Sequence, residues 1–575
     1  MKTETHTGFN HESLRSRTAM SHSLPRQAPA VATMAELLSV VRALLGTSPI
    51  SAVERAVLKG IAVSKDPARV RSFTDAIRQG DDPLGAAYCL LKCARDRRPS
   101  GQTFTPDAVV RGMLDWAARE SGTYARVVDP GAGSGRFTLA ALHRFPKARA
   151  IAVELDPVLT LLLRANAAVL GFTDRLDVAI ADFRRLSLPA IKGKTLFIGN
   201  PPYVRHHGIN TEWKNWYSDR LKKLGHGNSQ LAGLHLHFFL KVLELARKGD
   251  EGCFITAAEW LDVNYGKALR DLLSNGLGGK AVFAVAPELC VFDDALVSAA
   301  IACFAPGSLR KSINFKRIKQ VAGLARLDGG RAVALATAHK EHRWSPFLDT
   351  AKRVQHKGFI PLGDLFQVKR GQVTGLNRIW VAGASTPAVP RRFLVPCITD
   401  SFDISDAPEH RIASVDQLRR VIDLPASLDG LPVDERKAVD SFLKWAEAEG
   451  AAAGYVAQHR KPWWRVNLKD PAPVVMTYMG RRPPVFALNA AGARLINVAH
   501  GLYLKQTLSN EYLVALVRWL NANVTIAQGR AYAGGLIKFE PSEVMRLRIP
   551  PPSILVHEKN NNARFSETSQ RVDLR

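Results

Sequence analysis

Cysteine is nearly absent from this chain. Six thiols, at positions 89, 93, 253, 290, 303 and 397 of 575 residues, are too few and too scattered for a disulfide framework. Cys89 and Cys93 read as one face of a helix, and no second cysteine pair completes a metal site. Reduced thiols in a cytoplasmic protein are the expectation. Long apolar runs are missing too. The most apolar stretch, 158–172, is broken by Arg164 and Asn166 and is too short to span a bilayer, so no membrane association is expected. The opening Met1-Lys-Thr-Glu-Thr-His-Thr lacks the apolar core of a secretory signal. His206-His207 and the pair His235 and His237 have no carboxylate at ligand spacing, which argues against a metal. Negative charge is scarce: 52 Asp+Glu face 79 Lys+Arg, leaving a net +27. The excess recurs along the whole chain rather than in a tail, and it favours a polyanionic partner over a membrane surface. No internal repeat is apparent.

What the chain has is length and a change of rhythm. Its 575 residues suffice for several domains. Residues 1–33 are polar, with Pro, Ser and His, and are expected to be a disordered tail. Residues 34–99 carry helical periodicity, with Leu37, Leu38, Val41, Leu44 and Leu45 on one face, and predict a helical region. From Thr123 the segments 126–128, 149–153, 177–181, 195–198 and 252–256 read as strands, and 134–145, 157–170 and 230–247 as helices. Pro157 suits a first helical position and Gly171 a C-cap. The alternation predicts an α/β domain over 100–310, doubly wound about a mostly parallel sheet. No long helix separates 281–285 from 298–304, so these strands are expected to pair antiparallel. The rhythm stops near residue 310. Residues 311–344 are basic and read as a connector, and 345–552 as a second, α+β domain with helices near 414–424, 434–449 and 511–522. Residues 553–575 read as a polar, disordered tail.

Two motifs carry chemistry. In Asp129-Pro-Gly-Ala-Gly-Ser-Gly135, the residues Gly131, Gly133 and Gly135 let the backbone turn tightly and approach a ligand. The loop follows the first parallel strand, where open α/β sheets bind cofactors. Glu154 ends the next strand, where a carboxylate can accept from two ribose hydroxyls. The glycines alone also fit an ordinary turn or a nicotinamide dinucleotide. Asp129 and Pro130 suit a cofactor with a cationic ammonium better than a diphosphate. Asp182 can accept from an adenine amino group, and Phe183 can lie on the adenine ring. Together the set favours S-adenosylmethionine. The second motif is Asn200-Pro-Pro-Tyr203, delivered by an apolar strand. The Asn200 oxygen can accept from an exocyclic amino group. Pro201 and Pro202 make the turn rigid, and the Pro201 carbonyl can accept a second hydrogen. Tyr203 offers a face to a flat ring.

Residues 100–305 resemble the catalytic domain of the gamma-class, TaqI-like adenine-N6 DNA methyltransferases. Gly101-Gln-Thr-Phe-Thr-Pro106 is similar to that family's segment ahead of the glycine loop, which implies that Thr105 and Pro106 fold over the methionine end of the cofactor. Asp129 to Gly135, Glu154, Asp182-Phe183 and Asn200 to Tyr203 match its cofactor and catalytic motifs in the same order. Gly252 to Thr256 with Gly266 to Arg270 resembles its later strand–helix segment, with Ala257 where a Pro is common. Val291-Phe292 resembles the position whose ring stacks on the target base. In the second domain, Lys369-Arg-Gly-Gln-Val-Thr-Gly-Leu-Asn377 looks like a segment of the family's target-recognition domains, while 462–464, 481–489 and 534–538 fit later segments loosely.

The resemblance implies a class I S-adenosylmethionine-dependent methyltransferase sheet with an N-terminal helical cap and a C-terminal α+β target-recognition domain. It implies methyl transfer to N6 of an adenine flipped out of double-stranded DNA, sandwiched by Tyr203 and Phe292. Arg370, Arg465 and Lys538 are candidate DNA contacts, on phosphate before base. A monomer would suffice, and a separately encoded restriction endonuclease would be the companion. Cytosine C5 chemistry needs a cysteine nucleophile, and Cys397 lies far from the cofactor motifs. Two other readings keep these residues: an N-methyltransferase acting on RNA or on protein glutamine, and a catalytically silent DNA-binding subunit.

Overall fold

The computed structural model describes residues 31–226, 230–286, 289, 292, 298–308, 310–348, 358–532 and 536–555. The expectations for residues 1–30, Val291 and 556–575 lie outside them. The chain divides into two compact units, the first holding the described residues up to Leu348 and the second those from Gly358 on, Tyr532 excepted.

The first unit opens with helices α1 (Met34–Leu45), α2 (Ala52–Val57), α3 (Pro67–Arg78), α4 (Pro83–Leu91) and α5 (Ala94–Arg97). Their starts are local. Ser51 and Glu54 form a reciprocal capping box, and Asp82 caps α4 with Pro83 at the first position. Leu37, Leu38, Val40, Val41 and Phe73 bury themselves against Leu159, Leu161, Leu162 and Ala165. Cys93 falls outside α4, as the residue before α5, so it does not share a helix face with Cys89.

Strands β1 (Arg126–Pro130), β2 (Arg149–Glu154), β3 (Leu176–Ile180), β4 (Thr195–Gly199), β5 (Glu251–Ala257), β6 (Gly279–Val285), β7 (Ala299–Phe304), β8 (Ser312–Ile318) and β9 (Arg331–Ala334) form one sheet in the order 3-2-1-4-5-7-6-8-9. Strands β1 to β5 are parallel, and β7 lies antiparallel between β5 and β6, as expected from the missing helix. Helices α6 (Asp107–Ser121), α7 (Arg136–Arg144) and α8 (Pro157–Leu170) contribute to the core on one face; α9 (Thr211–Lys223), α10 (Leu234–Leu245) and α11 (Lys267–Ser274) contribute to the other. This is the class I methyltransferase sheet with further strands. Helix α10 starts at Leu234, four residues later than expected. Cys253 and Cys303 are buried cross-strand neighbours with Sγ atoms 3.4 Å apart, within thiol hydrogen-bond distance and without a disulfide.

Residues 311–344 are not a connector. They add β8 and β9 to the sheet edge, with Ile313, Phe315 and Ile318 inward while Lys316 and Arg317 are less buried. The basic side chains mask the strand pattern in the sequence. Nor does the second domain begin at 345: Trp344 packs on Trp260 and Phe315, and Phe347 and Leu348 belong to the same core.

The second unit is α+β. Its main sheet runs 366–370, 499–504, 474–477, 486–489, 411–412, antiparallel except for the last pair. Helices Val433–Ala448 and Asn510–Asn523 match two of the three expected. The third fails: Arg420–Ile422 is a strand paired with 394–396, where β-branched Val421 and Ile422 are buried.

Candidate active site

A cleft of ≈ 630 Å³ opens at the C-terminal ends of β1, β2, β3 and β4. Thr105, Gly131, Gly133, Glu154, Asp182, Phe183, Asn200 and Pro202 line it, so segments scattered over about a hundred residues meet there. Pro106, Asp129, Gly135, Pro201 and Tyr203 do not line it.

All three glycines of the loop have positive φ, and at two of them a side chain would also be crowded. Gly131 has φ +80°, and a Cβ there would sit 3.3 Å from Pro202 Cδ. Gly135 has φ +96°, and its Cβ would meet Leu163 Cγ at 2.9 Å. Glu154 holds the loop: Oε2 accepts from Gly133 N–H at 2.9 Å, and Oε1 accepts from the N–H groups of Leu155 and Asp156. Burial raises its carboxyl above the ordinary range despite these bonds.

Asp129 does not line the cleft, and its Oδ1 is buried with no hydrogen-bond partner among the described residues. It is 1 % exposed, and its Oδ2 accepts from both the N–H and the hydroxyl of Thr138 at 3.0 and 2.6 Å. It therefore caps α7 from β1, because Gly135 at the helix start has no side chain to do so. Burial pushes this carboxyl up to about 7, against the pull of Thr138. A raised acid favours folding fully below its unfolded value and progressively less as pH rises through the folded one. Asp129→Asn should remove that dependence. Between pH 4 and 8 the wild type should lose on the order of 3 kcal/mol of stability relative to the variant, in urea titrations of cofactor-free protein. Parallel pH profiles would refute this.

Asp182 is committed to Arg184. Its Oδ1 accepts from Arg184 N and Nε at 2.9 Å, and Oδ2 from Nη2 at 2.6 Å. These bonds outweigh burial and hold the carboxyl below its usual range. Arg184 in turn lies 4.0 Å over the Trp213 ring. Phe183 is buried against Phe238 at 5.0 Å between centroids. Arg184 and Trp213 line the cleft and were not foreseen, because nothing in the sequence places residue 213 near 184.

Asn200 is the informative side chain. Its Nδ2 donates to the Thr103 carbonyl at 3.2 Å and to Thr105 Oγ1 at 3.0 Å. A carbonyl cannot donate, so the amide has one orientation. Its Oδ1 is then left buried with no hydrogen-bond partner among the described residues. A buried acceptor without a donor costs roughly 1–3 kcal/mol, a cost that a donor on a bound molecule would remove. Tyr203 N–H donates to the Gly101 carbonyl at 3.2 Å, which ties the 101–106 segment to the turn.

Tyr203 and Phe292 do meet, but edge to face, with centroids 6.0 Å apart and planes at 83°. The expected sandwich needs two parallel faces, so these rings do not form a parallel slot as they stand. The Tyr203 hydroxyl is also buried without a partner, which raises its pKa. His235 packs on the same ring and is pushed down to about 4 by burial, hence neutral at physiological pH. Among the described residues no group of three His, Cys, Asp or Glu side chains could hold a metal ion.

These features fit S-adenosylmethionine. Backbone turns at Gly131 and Gly133, a carboxylate at the end of β2, the Asp182-Phe183 pair and a buried amide oxygen share one cleft. The second unit departs more from expectation. Arg370 Nη2 bonds Glu540 Oε2, and Lys538 Nζ donates to Glu540 Oε1 at 2.7 Å, so neither cation is spare. Arg465 is exposed.

Two family models match the chain. Residues 187–281 match the Eco57I restriction-modification methylase model, and 347–573 match the C-terminal domain of the type II methyltransferase M.Eco57I. The type II methyltransferase M.XamI of Xanthomonas campestris pv. amaranthicola is 46% identical over 521 residues, covering 90% of this chain and 98% of that one. The type II methyltransferase M.AccI of Acinetobacter calcoaceticus is 22% identical over 468 residues, covering 78% and 85%. Among solved structures, the type IIG restriction endonuclease BpuSI aligns over 90% of this chain and 70% of its own, with a TM-score of 0.44 and 15% identity.

Proposed function

The chain belongs to the Eco57I-like type II adenine-N6 DNA methyltransferases, and on that premise we propose that Asn200 is the residue that grips the target amino group. It is a site-specific DNA methyltransferase that uses S-adenosyl-L-methionine, binds DNA and works within a restriction–modification system. The observation that carries the role of Asn200 is its buried, unpartnered Oδ1 at the cleft.

In this reading Gly131 and Gly133 bring backbone close to the cofactor, Glu154 takes its ribose hydroxyls, Asp182 and Phe183 hold its adenine, and Thr105 and Pro106 close over its methionine end. Bound S-adenosylmethionine supplies an electron-poor methyl group. The target adenine leaves the duplex at a cost of a few kcal/mol. Tyr203 recovers part of that by stacking, worth about 1–3 kcal/mol per base. For Phe292 to take the other face, the two rings must turn out of their edge-to-face contact. Asn200 Oδ1 and the Pro201 carbonyl then accept one N6 hydrogen each, which draws the nitrogen lone pair out of conjugation and frees it for attack. Thr103 and Thr105 keep the amide from rotating, so the acceptor is in place before the base arrives. Neither acceptor is a base of useful strength, so the N6 proton departs after the methyl has been transferred.

The second unit is the proposed target-recognition domain, with exposed Arg465 on phosphate, and with Arg370 and Lys538 reaching phosphate in competition with Glu540. A monomer methylating one strand per encounter, a separately encoded restriction endonuclease and a cytoplasmic location belong to the same proposal. No helix among the described residues is long and apolar enough to cross a membrane.

Thr105→Val tests the orientation of Asn200. It keeps the shape and removes the oxygen that accepts from Asn200 Nδ2. Single-turnover methyl transfer should fall by about tenfold, the worth of one oriented hydrogen bond. Thr105→Ser should stay within about threefold of wild type. Equal rates for Val and wild type would reject the role.

A further inference from the structure

We propose that Asp82, in the N-terminal helical region, is a positioning residue for methyl transfer, fixing the glycine loop and, through Arg136, the 103–105 segment that orients Asn200. The inference rests on the role given to Asn200 above.

As a helix cap, Asp82 needs one acceptor contact, and it has that one: Oδ1 accepts from Gly85 N–H at 2.9 Å. The same carboxylate takes three further donors, all from outside the helical region. Ser134 Oγ donates to Oδ2 at 2.5 Å, Arg136 Nε to Oδ2 at 2.8 Å, and Asn166 Nδ2 to Oδ1 at 3.3 Å. Ser134 belongs to the glycine loop and Arg136 opens the helix after it. Both line the cleft, whereas Asp82 does not. The side chain of Asp82 is 14% exposed, so the charge-assisted bonds are shielded from water.

Arg136 carries the constraint onward. Its Nη1 donates to the Thr105 carbonyl at 2.9 Å, and its guanidinium lies 5.2 Å from the Phe104 ring centroid. Thr105 Oγ1 then accepts from Asn200 Nδ2. A chain of single contacts thus runs from Asp82 through Arg136 and Thr105 to the reacting amide. The backbone makes room for it: a Cβ on Gly85 would lie 2.1 Å from Asp82 Oδ2 and 2.7 Å from Ser134 Oγ. A second tie grips the far rim, where Tyr88 of α4 donates to Asp156 Oδ2 at 3.0 Å and Gln102 Nε2 to the same oxygen at 3.3 Å. The helical region is therefore part of the catalytic frame.

Asp82→Asn separates capping from positioning, because Asn caps a helix as well as Asp does but cannot pair with a guanidinium. In the full-length protein, the single-turnover rate at saturating S-adenosylmethionine and duplex DNA should fall about tenfold or more, as small misplacements of a reacting group do. DNA affinity should stay at the wild-type value, and the loss of rate should exceed what any fall in the folded fraction explains, measured by circular dichroism on the assayed sample. Arg136→Lys, which keeps the charge but cannot bridge Asp82 and the Thr105 carbonyl together, should fall by a similar factor. It also serves as the readout if Asp82→Asn does not accumulate folded. The double variant should be no slower than about twofold below the worse single one, as for two members of one path. A rate within twofold of wild type for either single variant, or effects that multiply in the double one, would overturn the proposal. Wild type run alongside keeps the parent reading separate: failure to methylate adenine there would sink that reading first.

Discussion

Asn200→Ala is expected to cut methyl transfer by roughly 10²–10³-fold or more, the loss seen when one preorganised polar group at a developing charge is removed. The substitution deletes the only side-chain acceptor that is both buried and unpartnered among the described residues lining the cleft. It also leaves the Thr103 carbonyl and Thr105 Oγ1 without the donor they share. Cofactor affinity should stay within about threefold, since Asn200 acts on the transition state rather than on ground-state binding. Duplex affinity should change as little, because phosphate contacts dominate it. Asn200→Asp is the sharper companion. It keeps an acceptor but sets a carboxylate oxygen against the Thr103 carbonyl, so it should recover only part of the rate. Single-turnover kinetics with S-adenosylmethionine and DNA both saturating, beside titrations of each, would show the split. An Ala variant that keeps a tenth of the wild-type rate would remove Asn200 from the chemistry.

Gly101→Ala should be nearly as damaging from outside the motif. Gly101 has φ +65°, a conformation L side chains rarely adopt, and its Cβ would stand 2.5 Å from Tyr203 N and 2.9 Å from Tyr203 C. Both atoms are backbone, so neither can swing aside. The bond from Tyr203 N–H to the Gly101 carbonyl must then lengthen or break, and the 101–106 segment withdraws from Asn200. A displacement of about 1 Å at such a site can cost on the order of 100-fold. Backbone strain of roughly 1–3 kcal/mol adds a fall in melting temperature. The loss of rate should exceed what the fraction unfolded explains, measured by circular dichroism on the assayed sample. Wild-type activity with an unchanged melting curve would show that the contact is not tight in solution.

The parallel half of the sheet was legible because its strands are buried on both faces and read as short apolar runs: Val127-Val128, Ala150 to Val153 and Leu196 to Ile198 are all of this kind. The edge was not. In β8 Ile313 and Phe315 enter one core and Ile318 the other, but the partly buried Lys316 and Arg317 between them make the stretch look like a basic linker. The site divides the same way. Glu154, Asp182 and Asn200 end strands or follow them within two residues, so a position in the sheet predicts a position in the cleft. Asp129 follows the same logic and yet turns inward to cap α7, because the helix begins on a glycine. Arg184 and Trp213 reach the cleft, and Asp82 reaches Ser134 and Arg136 in its wall, through loop geometry and packing between distant segments, which no periodicity encodes. Arg370 and Lys538 read as phosphate contacts because their shared partner, Glu540, lies far in sequence from Arg370.

Methyl transfer from labelled S-adenosylmethionine to mixed-sequence duplex DNA, with nucleosides separated after digestion, decides between the chemistries this cleft could serve. Label found in N6-methyladenine alone, and lost in Asn200→Ala, is the expected result. Label in N4-methylcytosine, in RNA or in protein, or in DNA with Asn200→Ala as active as wild type, would contradict it.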